Sequence, residues 1–142
     1  VAKRLKIPYR PRFSGIRKNW KDSIWYKDYV LDVDGKFNNP NNRNGKLFRC
    51  RFSLDFEHIS HVADKMISTG VYIEKPDAYG HAPITLKLLI LSALRILTRN
   101  YTYDDVFEAT FISDRVTRKF FKLFCTWYSD VIKPTVIRMP TV

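Results

Sequence analysis

The sequence predicts an all-α protein: a small bundle of four to five helices with a helix-turn-helix-like unit and an extended basic N-terminal arm. Three observations lead there. Apolar residues recur at i, i+3, i+4 and i+7 in several segments, and no strand–helix alternation is visible. Residues 84–97 are apolar around most of a helical circumference, as the central rod of a bundle must be. The 142 residues, 45% of them hydrophobic, suffice for one domain with a real core.

Taken in order, residues 1–19 read as an extended arm, because Pro8 and Pro11 discourage helix. Residues 19–31 offer a short helix starting near Asp22 or Ser23, with Ile24, Trp25, Tyr29 and Val30 as docking residues. Residues 32–46, DVDGKFNNPNNRNGK, form an Asn-rich surface loop. Asp32, Asp34 and Gly35 are arranged like the start of a calcium loop, but the later spacing is wrong and the closing Glu is absent. FRCRF at 48–52 alternates like a short strand; in a helical chain it reads instead as a lead-in to the next helix. Ser53 is placed to cap that helix, over 54–69, whose core stripe is Phe56, Ile59, Val62, Ala63, Met66 and Ile67. Gly70 stops it. A loop reaches Ala82, and Pro83 suits the first turn of a helix over 84–98. Thr102 caps a helix over 103–109 with Asp104 and Asp105 in its first turn. A turn, TFIS, leads to Ser113 as the cap of a final helix over 114–132, ended by Pro134. The chain so divides into 1–46 (arm, short helix and loop) and a helical domain over 47–142.

Charge narrows the function. The net charge is +11 and the pI about 9.8, in the range where a basic domain raises the question of nucleic acid. Lys3, Arg4, Lys6, Arg10, Arg12, Arg17, Lys18 and Lys21 all precede the first acid, Asp22, and leave only +3 for the remainder. Such an arm fits phosphates better than a membrane surface, since its apolar residues lack helical spacing. There is no signal-peptide pattern, and the longest apolar tract is broken by Thr85, Lys87, Ser92 and Arg95. No membrane partner is expected. Cys50 and Cys125 are two distant thiols, expected to be free in a reducing compartment.

The informative constellation is SDRVTRKFFK at 113–122. Arg115, Arg118, Lys119 and Lys122 are spaced i, i+3, i+4, i+7 and fall within about 100° of arc. Val116, Phe120, Leu123, Phe124, Trp127 and Val131 centre on the opposite side. Two helices joined by a short turn, with cations in the first turns of the second, are the layout of a helix-turn-helix. Arg can pair bidentately with guanine edges, while Lys serves phosphates as a point charge. The expected duplex-contacting set is Arg115, Arg118, Lys119 and Lys122 with Lys3, Arg4, Lys6, Arg10, Arg12, Arg17 and Lys18 of the arm. Thr117 lies nearer the apolar side. A merely solvated basic face is the alternative, and the turn lacks the Gly common in such motifs. Trp20, Trp25, Tyr26 and Tyr29, interleaved with Arg17, Lys18, Lys21 and Lys27, could stack single-stranded bases or pack a core.

Catalysis has little support. His58 and His61, with Glu57, Asp64 or Cys50, match no metal-ligand spacing. Asp104, Asp105 and Glu108 fit helix-dipole complementation. No phosphate loop or nucleophile elbow is present. No cofactor, metal site or enzymatic activity is expected of this chain.

KPDAYGHAPITLKLLILSALRIL at 75–97, YTYDDVFEATFISDRVTRKFFKLF at 101–124 and VIRMPT at 136–141, with LFRCRFSLDFEHI at 47–59, resemble the N-terminal region of Harbinger-type transposases of the plant transposon protein group. The resemblance covers about two-thirds of the chain. It implies a helical, helix-turn-helix-like part ahead of an RNase H-like nuclease that uses an Asp-Asp-Glu set and divalent metal. No residue here inherits that catalytic role; what carries over is the DNA-facing helix, at Arg115, Arg118, Lys119 and Lys122. The expectation is therefore duplex-DNA binding by a transposase-like or domesticated chain, with a nuclear location. The alternative is a protein-interaction module, docking a partner protein or a second copy.

Overall fold

A computed structural model describes residues 18–32, 34–76 and 78–131. The arm cations Lys3, Arg4, Lys6, Arg10, Arg12 and Arg17 and the expected stop at Pro134 lie outside the described residues. Within them every regular element is helical, as the sequence predicts. A 3-10 turn at Trp20–Asp22 and a π-helical segment at Tyr26–Leu31 precede five α-helices: α1 (Arg43–Phe52), α2 (Phe56–Ser68), α3 (Leu86–Arg99), α4 (Tyr103–Thr110) and α5 (Asp114–Val131).

Buried Ser23 joins the first two elements. Its hydroxyl donates to the Trp20 carbonyl at 2.6 Å and accepts from the Tyr26 N–H at 3.3 Å. Trp25 and Tyr29 then point into the core, but Ile24, expected to dock, is 64% exposed. Ile24 and Trp25 are consecutive, so about 100° of helix rotation separates their faces. The segment ends at Asp32, in left-handed backbone (φ 36°). Its carboxylate accepts from the N–H groups of Lys36 and Phe37, at 2.8 and 3.1 Å, and so reverses the chain.

The first helix corrects the sequence reading. The Asn-rich loop ends at Asn42, not Lys46, and FRCRF is the last half of α1. The Asn42 side chain caps α1 by accepting from the Gly45 N–H at 2.6 Å. Ser53 closes α1 in left-handed backbone (φ 63°) instead of opening the next helix, and Asp55 occupies the N-cap position of α2. The misreading has a simple cause: Phe48 and Phe52 are four apart, a separation that shares one face in both a strand and a helix. The proposed boundary at 46/47 falls inside α1.

In α2, Ile59, Val62, Ala63 and Met66 are buried as expected, whereas Ile67 at the stripe's edge is 50% exposed. Gly70, at φ 72°, follows the end of this helix. Residues 71–76 and 78–85 have no regular structure, and Tyr72 is tied to Ile84 where its hydroxyl donates to the Ile84 carbonyl at 2.9 Å. α3 starts at Leu86 rather than Ile84, and residues 88–94 are all buried. It packs against α1, α2, α4 and α5 and is the central rod.

The core has an aromatic end. Phe52, fully buried, meets Trp25, Tyr29 and Phe48 at ring-centroid distances of 5.5, 5.1 and 4.8 Å. Arg95 of α3 enters this cluster, with its guanidinium 4.8 Å from the Tyr101 ring and 5.4 Å from the Phe52 ring. Arg95 donates to the Arg51 carbonyl at 2.6 Å and Arg99 to the Cys50 carbonyl at 3.0 Å. Two cations of the central helix thus satisfy the free carbonyls at the C-terminus of α1.

Candidate nucleic-acid interface

The site is built from α4, α5 and the turn between them. Thr102 opens α4 with a capping box. Its hydroxyl accepts from the Asp105 N–H at 3.1 Å, and the Asp105 carboxylate accepts from the Thr102 N–H and hydroxyl, both at 2.8 Å. These bonds hold the Asp105 carboxyl below its ordinary pKa of 3.8. Phe111 closes α4 in left-handed backbone (φ 57°), its N–H donating to the Phe107 carbonyl at 2.9 Å. Three residues separate Thr110 from Asp114, which begins α5, and the Ser113 hydroxyl accepts from the Val116 N–H at 3.4 Å.

Thr117, Phe120, Phe124 and Trp127 form the buried line of α5, which packs on α3 and α4. Arg115, Arg118, Lys119 and Lys122 all lie exposed on the far side. They are neither covered by the fold nor, as a group, neutralised. Arg118 alone among the four is engaged within the fold: its guanidinium lies 3.2 Å from Asp114 Oδ2, one helical turn away, and 4.9 Å from the Tyr103 ring. A half-exposed pair of this kind is worth at most about 1 kcal/mol, so it weakens the face without cancelling it. Two residues of the expected apolar stripe behave otherwise. Val116 and Leu123 are each 39% exposed and flank Lys119. Val116 sits about 100° of helix rotation from Thr117, outside the buried line. Thr117, 2% exposed, cannot reach a ligand.

Lys18 is exposed, with its ammonium 4.9 Å from the Phe111 ring. Lys18 therefore meets the molecule at the α4–α5 turn. The remaining arm cations assigned to DNA are outside the described residues. Of the aromatics offered for base stacking, Trp25 and Tyr29 are core residues, 8% and 7% exposed, while Trp20 and Tyr26 pack edge to face at 5.0 Å.

One feature went unnoticed in the sequence. Tyr103 and Phe107 of α4 and Phe111 just past its end are spaced i, i+4, i+8 in the chain; Arg118 of α5 sits on the Tyr103 ring and Lys18 on the Phe111 ring. The spacing was visible, but nothing in the sequence links Phe111 to Lys18. Tyr103 and Phe107, with Thr102, Asp104, Ser113 and Asp114, line an open cleft of about 570 Å³ between the starts of α4 and α5.

His58 and His61 are exposed on α2, His61 lying 3.8 Å from Glu57. Among the described residues no three His, Cys, Asp or Glu side chains converge as metal ligands, and no helix is long and apolar enough to cross a membrane. No protein-family model, curated protein or solved structure matches the chain.

Proposed function

We propose that this chain binds duplex DNA, with the exposed face of α5 as its main contact and the N-terminal arm as its second. The observation that carries the reading is the placement of Arg115, Arg118, Lys119 and Lys122 on the solvent side of a helix whose opposite side is core. Four cations on a rigid rod displace counterions from phosphates together, with no ordering cost for the backbone between them. In this reading α4 and α5 act as a helix-turn-helix, and the chain is the DNA-binding part of a Harbinger-like transposase or a domesticated derivative, working in the nucleus. That parentage rests on the sequence resemblance. The reading assigns no strand cleavage to these 142 residues; nicking of a plasmid by the purified chain with Mg²⁺ or Mn²⁺ would overturn it.

The deciding experiment is a salt titration of duplex binding by the wild type and a variant with Arg115, Arg118, Lys119 and Lys122 all replaced by Ala. The variant keeps its helical circular dichroism. Its log–log salt slope falls by up to about 3 to 4 if all four residues meet phosphates, at about 0.9 per contact. Equal affinity and slope for the two proteins would end the proposal.

A second reading, docking of a protein partner or a second copy, is favoured by Val116 and Leu123, exposed on either side of Lys119. Replacing both by Ser separates the two. Under the DNA reading duplex affinity is kept; under the docking reading self-association or partner binding is lost and duplex affinity is absent from the start.

A further inference from the structure

We infer that the outer face of α1, with Arg99 of α3 at its end, is a contact for nucleic-acid phosphates, formed by Arg43, Lys46 and Arg99. This goes beyond the reading of α5. It assigns a role to a different helix and stands or falls separately.

The charge is one-sided in two packed helices. α1 carries Arg43, Lys46, Arg49 and Arg51 and no carboxylate; α3, against which it packs, carries Lys87, Arg95 and Arg99 and no carboxylate. By contrast, α5 includes Asp114 and Asp130. The side of α1 that holds Gly45, Phe48 and Phe52 is buried. Arg43, Lys46 and Cys50, spaced i, i+3, i+7, fall within about 60° of arc on the other side, and all three are exposed. Arg99 joins the end of this row, its guanidinium donating to the Cys50 carbonyl at 3.0 Å. From Arg43 to Cys50 is about 10 Å of helix, an interval in which a duplex presents about six charges.

Helix chemistry accounts for only part of this charge. Arg49 and Arg51 lie in the last turn of α1, and Arg95 and Arg99 reach its free carbonyls, where the dipole favours cations. Arg43 and Lys46 lie in the first turn, where the dipole disfavours them and where α1 has no acid. Among the described residues no carboxylate pairs with Arg43, Lys46 or Arg99; Asp55 meets Arg49 instead, at 3.9 Å. Cations that oppose the dipole, serve no core and have no internal counter-charge are explained by an external anion. A phosphate backbone fits, because it presents closely spaced anions to a rigid row. Arg99, oriented by the Cys50 carbonyl, keeps further N–H groups for a phosphate oxygen. A membrane surface fits poorly, since Leu47 is the one large apolar side chain exposed on α1.

The test compares the full chain with the triple variant Arg43→Gln, Lys46→Gln, Arg99→Gln on a mixed-sequence duplex. Gln is a good helix former, and the two first-turn changes remove charges that oppose the dipole, so helical circular dichroism and melting temperature are kept. If Arg99→Gln lowers the melting temperature, the Arg43→Gln, Lys46→Gln pair carries the test. The log–log salt slope falls by up to about 3 in the triple variant and up to about 2 in the pair, at about 0.9 per phosphate. Exposed Cys50 is the local reporter, with Cys125→Ser removing the other thiol. Saturating duplex slows alkylation of Cys50 by iodoacetamide several-fold when the row is intact, and does not in the triple variant. At low salt this protection persists in a chain whose Arg115, Arg118, Lys119 and Lys122 are all Ala. An unchanged slope, or Cys50 alkylated equally fast with and without duplex, would overturn the inference and leave the α5 reading standing. Binding to phosphatidylserine vesicles that the triple variant loses, with its duplex slope unchanged, would overturn it in favour of a membrane contact. A wild-type slope in the α5 variant, with Cys50 still protected, would overturn the α5 reading and support this one. Failure of the wild type to bind duplex at any salt would overturn both.

Discussion

Asp114 serves two masters. As the first residue of α5 it complements the helix dipole, and one turn on it holds the Arg118 guanidinium at 3.2 Å. Asp114→Asn frees Arg118, and duplex affinity is expected to rise modestly, against a loss of up to about 1 kcal/mol of stability from the dipole. Thr102 and Asp105 give a sharper case. The folded Asp105 carboxyl has its pKa lowered, first by the backbone N–H of Thr102 and then by its hydroxyl. A depressed folded pKa means that the contribution is complete above the unfolded value near 3.8 and disappears as the pH falls through the folded value. Thr102→Ala is therefore expected to destabilise the protein near neutral pH by removing one donor to this carboxylate and the cap of α4. Denaturant melts at pH 6 and pH 2.5 check it: the gap between wild type and variant should narrow in acid.

Among the helices, α1 shows best how packing overrides propensity. Ala would normally favour a helix over Gly by up to about 1 kcal/mol. At Gly45 the opposite is expected. A Cβ there would lie 1.9 Å from the Asn39 carbonyl oxygen and 2.7 Å from its carbon, both backbone atoms that cannot swing away. The approach exists because the Asn-rich turn folds back over the first turn of α1, with Asn42 capping Gly45 itself. Gly45→Ala should destabilise the protein by about 1–3 kcal/mol, the usual penalty of forced overpacking, measured as a lower urea midpoint at unchanged m-value. A stabilised variant would mean that the turn does not sit on the helix.

For the molecule as a whole, the aromatic end of the core brings Trp25, Tyr29, Phe48 and Phe52 together, with the Arg95 guanidinium 5.7 Å from the Trp25 ring and 5.4 Å from the Phe52 ring. Phe52 touches three of these rings and is fully buried. Phe52→Ala is expected to cost about 3–5 kcal/mol by cavity formation and to loosen the 20–31 segment along with α1. Duplex affinity, read from the basic face of α5, should change little under conditions where the variant is folded. Loss of both together would show that the basic face depends on this cluster.

The period of the apolar residues was enough to fix the class of fold, because a helix repeats every 3.6 residues whatever it packs against. The capped starts of α4 and α5 and the buried run of α3 were equally legible, since Thr102, Ser113 and the Leu-rich tract act through local bonds or sheer hydrophobicity. So was the sign of the α5 face: charges at i, i+3, i+4 and i+7 share a side by geometry alone. Other features needed distant partners. FRCRF became helix because Phe48 and Phe52 had Trp25 and Tyr29 to pack against. Val116 and Leu123 turned outward because α3 and α4 meet α5 along Thr117, Phe120, Phe124 and Trp127. The pairing of Lys18 with Phe111, 93 positions apart, is likewise a tertiary result. Local order is written in neighbouring residues, whereas the choice of which face is covered, and which cation meets which ring, belongs to surfaces that become neighbours only when the chain has folded.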